Sequence, residues 1–278
     1  LAVGAGGPGP LGQAQVLARP PRRGRHVAPG MATDPRHAAY LDALGVDVYV
    51  RRGLPLRGPV SRPATVVEPT DPAEAARSPV SGDAAGLDWS ALRERVAACT
   101  RCELHSTRTQ TVFGVGSTAA RWMFIGEAPG AEEDRQGEPF VGRAGQLLTS
   151  MLKALGFARE DVYIANVLKC RPPGNRDPRP DEARCCRDYL DRQIELVAPA
   201  LIVAIGRIAA QNLLATDMPL AKLRGTVHAL GERRRPVLVT YHPAYLLRSP
   251  GERRKAWQDL LLAREIVGRL ERGETVLP

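Results

Sequence analysis

From about residue 88 onward the chain alternates between two kinds of stretch. Short, unbroken apolar runs occur at 122–126 (WMFIG), 162–166 (VYIAN), 200–205 (ALIVAI) and 237–241 (VLVTY). Each is followed by a segment with helical spacing, at 143–155, 181–197, 207–215 and 251–271. The last of these gathers Trp257, Leu260, Leu261, Val267 and Leu270 on one face. Upstream, Asp88 fits the N-cap of a helix over 89–98. Strands that are apolar throughout bury both faces, so the pattern predicts an α/β fold with a parallel sheet covered by helices on both sides. Glu127, Asn166 and His242 then fall at the carboxyl ends of three strands, along one edge of the sheet. Open α/β sheets bind ligands at that edge.

Residues 1–87 read differently. Residues 1–30 are dominated by Gly, Pro, Ala and Arg and predict disorder, with Met31 as a candidate start. Residues 37–44 predict a short amphipathic helix that Gly45 ends, and 51–87 a linker interrupted by six prolines. The expected organisation is an extension over 1–87 and a folded domain over 88–272.

The loop from Gly126 to Gly145, GEAPGAEEDRQGEPFVGRAG, joins the first strand to the helix beginning at 143. Its glycines let a ligand approach the backbone closely. It is neither a P-loop, since no Gly-Lys-Ser/Thr follows, nor a dinucleotide fingerprint, since the GxGxxG spacing is absent. Among its carboxylates, Glu132, Asp134 and Glu138 read as solvated.

Net charge sharpens this picture. The chain of 278 residues carries +9 with a pI near 9.7, and most of the excess lies beyond residue 90. Nearly all of it is arginine. A polyanionic partner is the reading that fits. No run is long enough to span a membrane, and no signal-peptide core is present. A cytoplasmic location is therefore expected, and in a reducing compartment the five cysteines are not disulfides. Cys99 and Cys102 form a CxxC just past a helix, and Cys170 and Cys186 follow. Two close and two distant thiols suffice for a four-sulfur site, and zinc and [4Fe–4S] both fit it. Cys185 and Cys186 are adjacent, so on a helix they point about 100° apart and do not both serve easily.

Three motifs in order, GEAPGAEEDRQGEPFVGRAG, NVLKCRPPGNRDPRPDE and HPAYLLR, together with the cysteine spacing, make the stretch from Ala97 to Glu265 resemble the family 4 uracil-DNA glycosylases. The resemblance implies a three-layer αβα sandwich around a four-stranded parallel sheet, acting as a monomer on uracil-containing DNA. It implies a [4Fe–4S] cluster on Cys99, Cys102, Cys170 and Cys186, and so selects Cys186 over Cys185. Glu127 separates the chain from family 5, which has an apolar residue there. Two features depart from the usual family pattern: Cys185 and the long N-terminal extension. The alternative is a non-catalytic nucleic-acid binding module with a structural metal site.

The roles implied have physical reasons. Phe140 would stack on a uracil flipped out of the helix. Asn166 offers an acceptor and donors to uracil N3–H and O4. His242 would donate to O2, where negative charge develops on the leaving base. Glu127 would activate water or stabilise the sugar cation. Backbone groups at Gly126 and Ala128 would meet the base, and Glu133 would close the pocket near C5 against thymine's methyl group. Leu246 or Leu247 would fill the gap left in the duplex. Arg143 and Arg248 would hold phosphates, with Lys169, Arg171 and Arg176 adding backbone contacts. His26, His37, His105 and His228 receive no role.

Overall fold

A computed structural model describes residues 84–277. The helix expected at 37–44, and the linker up to residue 83, lie outside the described residues. The elements in order are α1 (Trp89–Ala97), β1 (Val115–Gly116), β2 (Trp122–Gly126), α2 (Ala131–Gln136), α3 (Arg143–Leu155), β3 (Tyr163–Asn166), α4 (Pro180–Val197), β4 (Leu201–Ile205), α5 (Arg207–Leu214), α6 (Leu220–Leu223), β5 (Val227–Leu230), β6 (Arg235–Thr240), α7 (Pro243–Arg248) and α8 (Arg253–Glu271). Asp88 caps α1, its Oδ1 accepting from the Ala91 amide at 2.8 Å.

One sheet runs in the order β1-β3-β2-β4-β6-β5. Its inner four strands, β3-β2-β4-β6, are parallel. These are the four apolar runs, so the expected parallel core is present. The sheet is nevertheless six-stranded, because β1 and β5 add antiparallel edges. Neither edge strand carries an unbroken apolar run. Val115–Gly116 has only two residues, and VHAL is half-exposed over most of its length.

Alternation along the buried strands divides the core into two layers. Trp122, Phe124, Ile164, Val203, Ile205 and Leu238 face α3, α7 and α8, where Leu148, Met151, Leu246, Trp257 and Leu260 meet them. Met123, Ile125, Ala165, Ile202, Ala204, Val237 and Val239 face α4 and α5, against Leu190, Ile194, Ala210 and Leu213. Burying each such side chain contributes roughly 1.5–3 kcal/mol, so the two layers fix the strands firmly. Register then aligns their carboxyl ends: Gly126 pairs with Asn166 and Ile205 with Thr240.

Candidate active site

Four loops leave this aligned edge. β2 leads into Glu127, β3 ends on Asn166, β4 leads into Gly206, and β6 leads through Tyr241 to His242. Gly126 lies at the centre. A Cβ added there would come within 2.5 Å of both Asn166 Oδ1 and the Phe140 ring. Any side chain at 126 would therefore displace the amide or the ring. Phe140 in turn lies beside His242, with ring centroids 5.6 Å apart and planes 33° apart. Phe140, Asn166 and His242 thus converge, although they come from three separate stretches of chain.

Phe140 is held in an unusual backbone shape. Its φ is 55°, a left-handed conformation that costs a bulky residue free energy and persists only where its surroundings impose it. Those surroundings are explicit. Glu133 Oε1 accepts from the amides of Val141 (2.9 Å) and Gly142 (3.1 Å), while Oε2 accepts from Gly130 N at 3.1 Å. Arg159 donates to the Pro139 carbonyl. Gly145, in the first turn of α3, lies so close that a Cβ there would sit 1.7 Å from the Phe140 carbonyl oxygen. Glu133, expected to close the pocket near C5, accepts from three backbone amides and so braces the loop that carries the ring. Asp134 is also not solvated: it is buried, and both its oxygens accept from the Thr109 amide.

Asn166 is 2% exposed, and its Oδ1 is buried without a hydrogen-bond partner. A buried acceptor left unpaired costs about 1–3 kcal/mol, so it points to a missing donor. The backbone carbonyl of Asn166 is fixed by Lys169, whose Nζ donates to it at 2.8 Å and to Gln193 Oε1 at 2.7 Å. Gln193 passes the connection on to Phe113 O and the Tyr163 hydroxyl. Lys169 is fully buried and therefore not a phosphate ligand, contrary to expectation. Arg176 is likewise engaged, by Glu182, and Arg171 bonds Asn175 Oδ1 at 2.7 Å.

His242 caps α7, its Nδ1 accepting from the Ala244 amide at 3.1 Å. That bond places the ring proton on Nε2. Burial pulls its pKa down to about 4, and the Arg248 charge pulls the same way against Glu133. The imidazole is therefore neutral at physiological pH, with one N–H left to donate. Glu127 shows the opposite behaviour for a carboxylate. Burial raises its pKa to about 7, Asp177 adds to the rise, and Arg207 opposes it. Asp177 and Arg207 form an ion pair at 2.9 Å. Neither was legible as a site residue, because no local spacing marks them. Ala128 follows Glu127 and is partly buried against the α4-side layer.

Arg143 and Arg248 are exposed, and neither has an ion-pair partner among the described residues. Leu246 does not fit its expected role as a wedge. It is 1% exposed and packs with Met151, Trp257 and Leu260. Only half-buried Leu247 keeps that possibility. The helical turn Pro243–Arg248 decides this, since it points residue 246 inward.

The cysteines lie to one side of this pocket. Cys99 and Cys102 follow α1, Cys170 follows β3, and Cys186 is on α4. All are free thiols. No three His, Cys, Asp or Glu side chains form a metal-holding group among the described residues. The surroundings nonetheless suit thiolate ligands. Arg108 Nη1 donates to Cys170 Sγ at 3.1 Å. The backbone at Lys169 and at Leu104 favours the thiolate forms of Cys186 and Cys102. Cys102 feels the charges of Cys170, Cys185 and Cys99, and Cys186 those of Cys170 and Cys102. Burial pushes the Cys186 thiol up to about 12, so it would ionise only against a cation, and metal binding would release its proton. Cys185 donates instead to the Arg101 carbonyl at 3.3 Å.

The sheet and the converging loops define a class. The chain matches the uracil DNA glycosylase superfamily over residues 113–261. It is 46% identical over 180 residues to the type-4 uracil-DNA glycosylase of Archaeoglobus fulgidus, covering 63% of this chain and 90% of that protein. The Thermotoga maritima type-4 enzyme is also 46% identical over 180 residues, covering 63% and 93%. A type-5 uracil-DNA glycosylase from Pyrobaculum aerophilum is 34% identical over 172 residues, covering 55% and 74%. The chain belongs to the type-4 uracil-DNA glycosylases.

Proposed function

We infer that this chain hydrolyses the bond between uracil and deoxyribose in DNA and leaves an abasic site, with Phe140, Asn166, His242 and Glu127 as the working groups. The observation that carries this is the unpartnered, buried Oδ1 of Asn166 beside the Phe140 ring. Uracil seated on that ring would bring N3–H to Oδ1 and O4 to the amide nitrogen. Cytosine presents an acceptor at N3 and a donor at C4, so it would set like groups against like and leave them unpaired. Mismatches of that kind are worth about 10⁴–10⁵ in selectivity.

As the C1′–N1 bond breaks, its electron pair moves onto the base and spreads to O2. His242 Nε2–H is then the donor to that oxygen. A neutral imidazole suits this task, because it stabilises the anion without having to give up its proton. The sugar carbon becomes cationic, as in other glycoside cleavages. Ionised Glu127 would stabilise that cation or orient the water that adds to C1′. Backbone at Gly126 and Ala128 would line the base, and Arg143, Arg248 and Leu247 would contact the flanking DNA. Cys99, Cys102, Cys170 and Cys186 would hold a [4Fe–4S] cluster that ties α1 and α4 to the loop after β3, where its simplest role would be structural. The protein would act as a monomer in the cytoplasm. No helix among the described residues is long and apolar enough to cross a membrane.

The test is a labelled oligonucleotide with uracil opposite G, opposite A or unpaired, cleaved with alkali after incubation. Strand breaks at uracil are expected in at least one context, and tight binding without breaks would overturn the reading. The same preparation should be brown and contain iron and acid-labile sulfide. A colourless zinc protein would overturn the cluster assignment alone.

Glu127 also fixes a pH dependence. Both of its possible roles need the carboxylate, so single-turnover excision should rise with pH through about 7. Asp177→Asn removes a like charge and should move this limb to lower pH. Arg207→Ala removes an opposite charge and should move it to higher pH. His242 adds only a limb near pH 4. A flat profile from acid to neutral pH would mean that no titration of Glu127 near 7 controls excision.

A further inference from the structure

One aromatic surface beside the pocket is unused by this mechanism. Tyr245 and Met218 are the large apolar side chains exposed among the described residues, Tyr245 at 37%. Tyr245 stacks on Tyr241 with ring centroids 5.2 Å apart and planes 23° apart. Tyr241 is itself anchored. The Arg224 guanidinium lies 4.1 Å from its ring centroid. Arg224 in turn grips buried Asp259 through two bonds, at 2.8 and 2.9 Å, and Asp259 also accepts from Thr240 Oγ1 at 2.8 Å. The exposed ring is therefore the outer layer of a column rooted in the core, and little freedom remains for a ligand to remove.

Position adds a second argument. His242, Tyr245 and Arg248 recur at a spacing of three, so they follow one another along one face of α7. The row runs imidazole, aromatic ring, guanidinium. Arg248 is exposed, has no ion-pair partner among the described residues, and lies near enough for its charge to lower the His242 pKa. Pro243 and Leu246 are buried, whereas Tyr245 and Arg248 are exposed. A strand whose uracil sits at His242 and whose backbone meets Arg248 would pass over Tyr245.

We propose that Tyr245 is a stacking platform for the nucleobase next to the everted uracil, with Arg248 taking the adjoining phosphate. The proposal rests on the uracil-pocket reading above. Every base has a π-face, so such a platform accepts any neighbouring sequence, as excision at scattered sites requires.

The test is a protein-by-DNA cycle read by fluorescence anisotropy. The probe is an oligonucleotide carrying 2′-fluoro-2′-deoxyuridine, whose fluorine destabilises the sugar cation and stops turnover. Tyr245→Ala should weaken binding about tenfold, within the range of one lost base–aromatic stack, while Tyr245→Phe should stay within about twofold because the ring is kept. When the bases on both sides of the uracil are replaced by tetrahydrofuran abasic residues, wild type and Tyr245→Ala should bind alike. Equal affinity of the two proteins for the intact probe would overturn the proposal. So would a Tyr245→Ala deficit that persists undiminished without the flanking bases, which would mean that Tyr245 only supports the His242 turn. Uracil release by wild type from an ordinary oligonucleotide is measured alongside. Its absence would sink the underlying reading rather than the platform.

Discussion

Asn166→Ala should reduce uracil excision by at least about 10³-fold in kcat/KM, or about 4 kcal/mol, while affinity for undamaged DNA stays close to that of wild type. The size follows from where the amide sits. Its side chain is sealed at the end of β3, its carbonyl is held by a buried ammonium, and its free oxygen is aimed at the space beside Phe140. Removing it leaves N3–H and O4 of the base without partners in a site that excludes water, so the base loses hydrogen bonds that water would have supplied. The proposed phosphate contacts lie elsewhere, on the exposed Arg143 and Arg248, so gel-shift affinity for a uracil-free duplex is the matching control. Near-normal excision by the alanine variant would remove Asn166 from the pocket. Equal loss of excision and of undamaged-DNA binding would point to a folding defect.

His242→Ala should slow single-turnover cleavage about 10²–10³-fold, the usual effect of losing one preorganised donor to a developing anion. Substrate binding should change much less, because the donor matters most when the bond is breaking. The residue has a second task that has to be separated from the first. Its Nδ1 caps α7, and losing a cap costs about 0.5–2 kcal/mol of stability. His242→Asn keeps a side chain that caps well but does not put an N–H where Nε2 stands. Thermal melting should therefore recover in the asparagine variant while the rate does not. Recovery of the rate together with the melting temperature would mean that His242 acts only by capping.

Much of this architecture was legible along the chain, for a physical reason. Strands buried on both faces must be apolar throughout, so WMFIG, VYIAN, ALIVAI and VLVTY announced the four parallel strands and the edge at which Glu127, Asn166 and His242 emerge. The antiparallel edges β1 and β5 were hidden because edge strands are short and half-exposed and carry no such run. Glu127, Asn166 and His242 were nameable because polar groups at strand ends stand out against apolar runs, whereas Phe140 came from the family resemblance. Their surroundings were not. That Glu133 spends both oxygens on backbone amides, that Asp134 is buried, and that Asp177 tunes Glu127 all depend on segments meeting across the fold. Leu246 shows the limit most clearly: HPAYLLR offers two adjacent leucines, and only the helical turn decides which faces inward.

Lys169 carries a further consequence. Its side chain fastens the carbonyl of Asn166, and the next residue in the chain is the buried thiol Cys170. The residue proposed to read the base and the thiols beside α4 are thus joined through a single amino acid, with no flexible spacer between them. Harm to the sulfur-rich side should accordingly first appear as blurred discrimination between pyrimidines, before the protein unfolds.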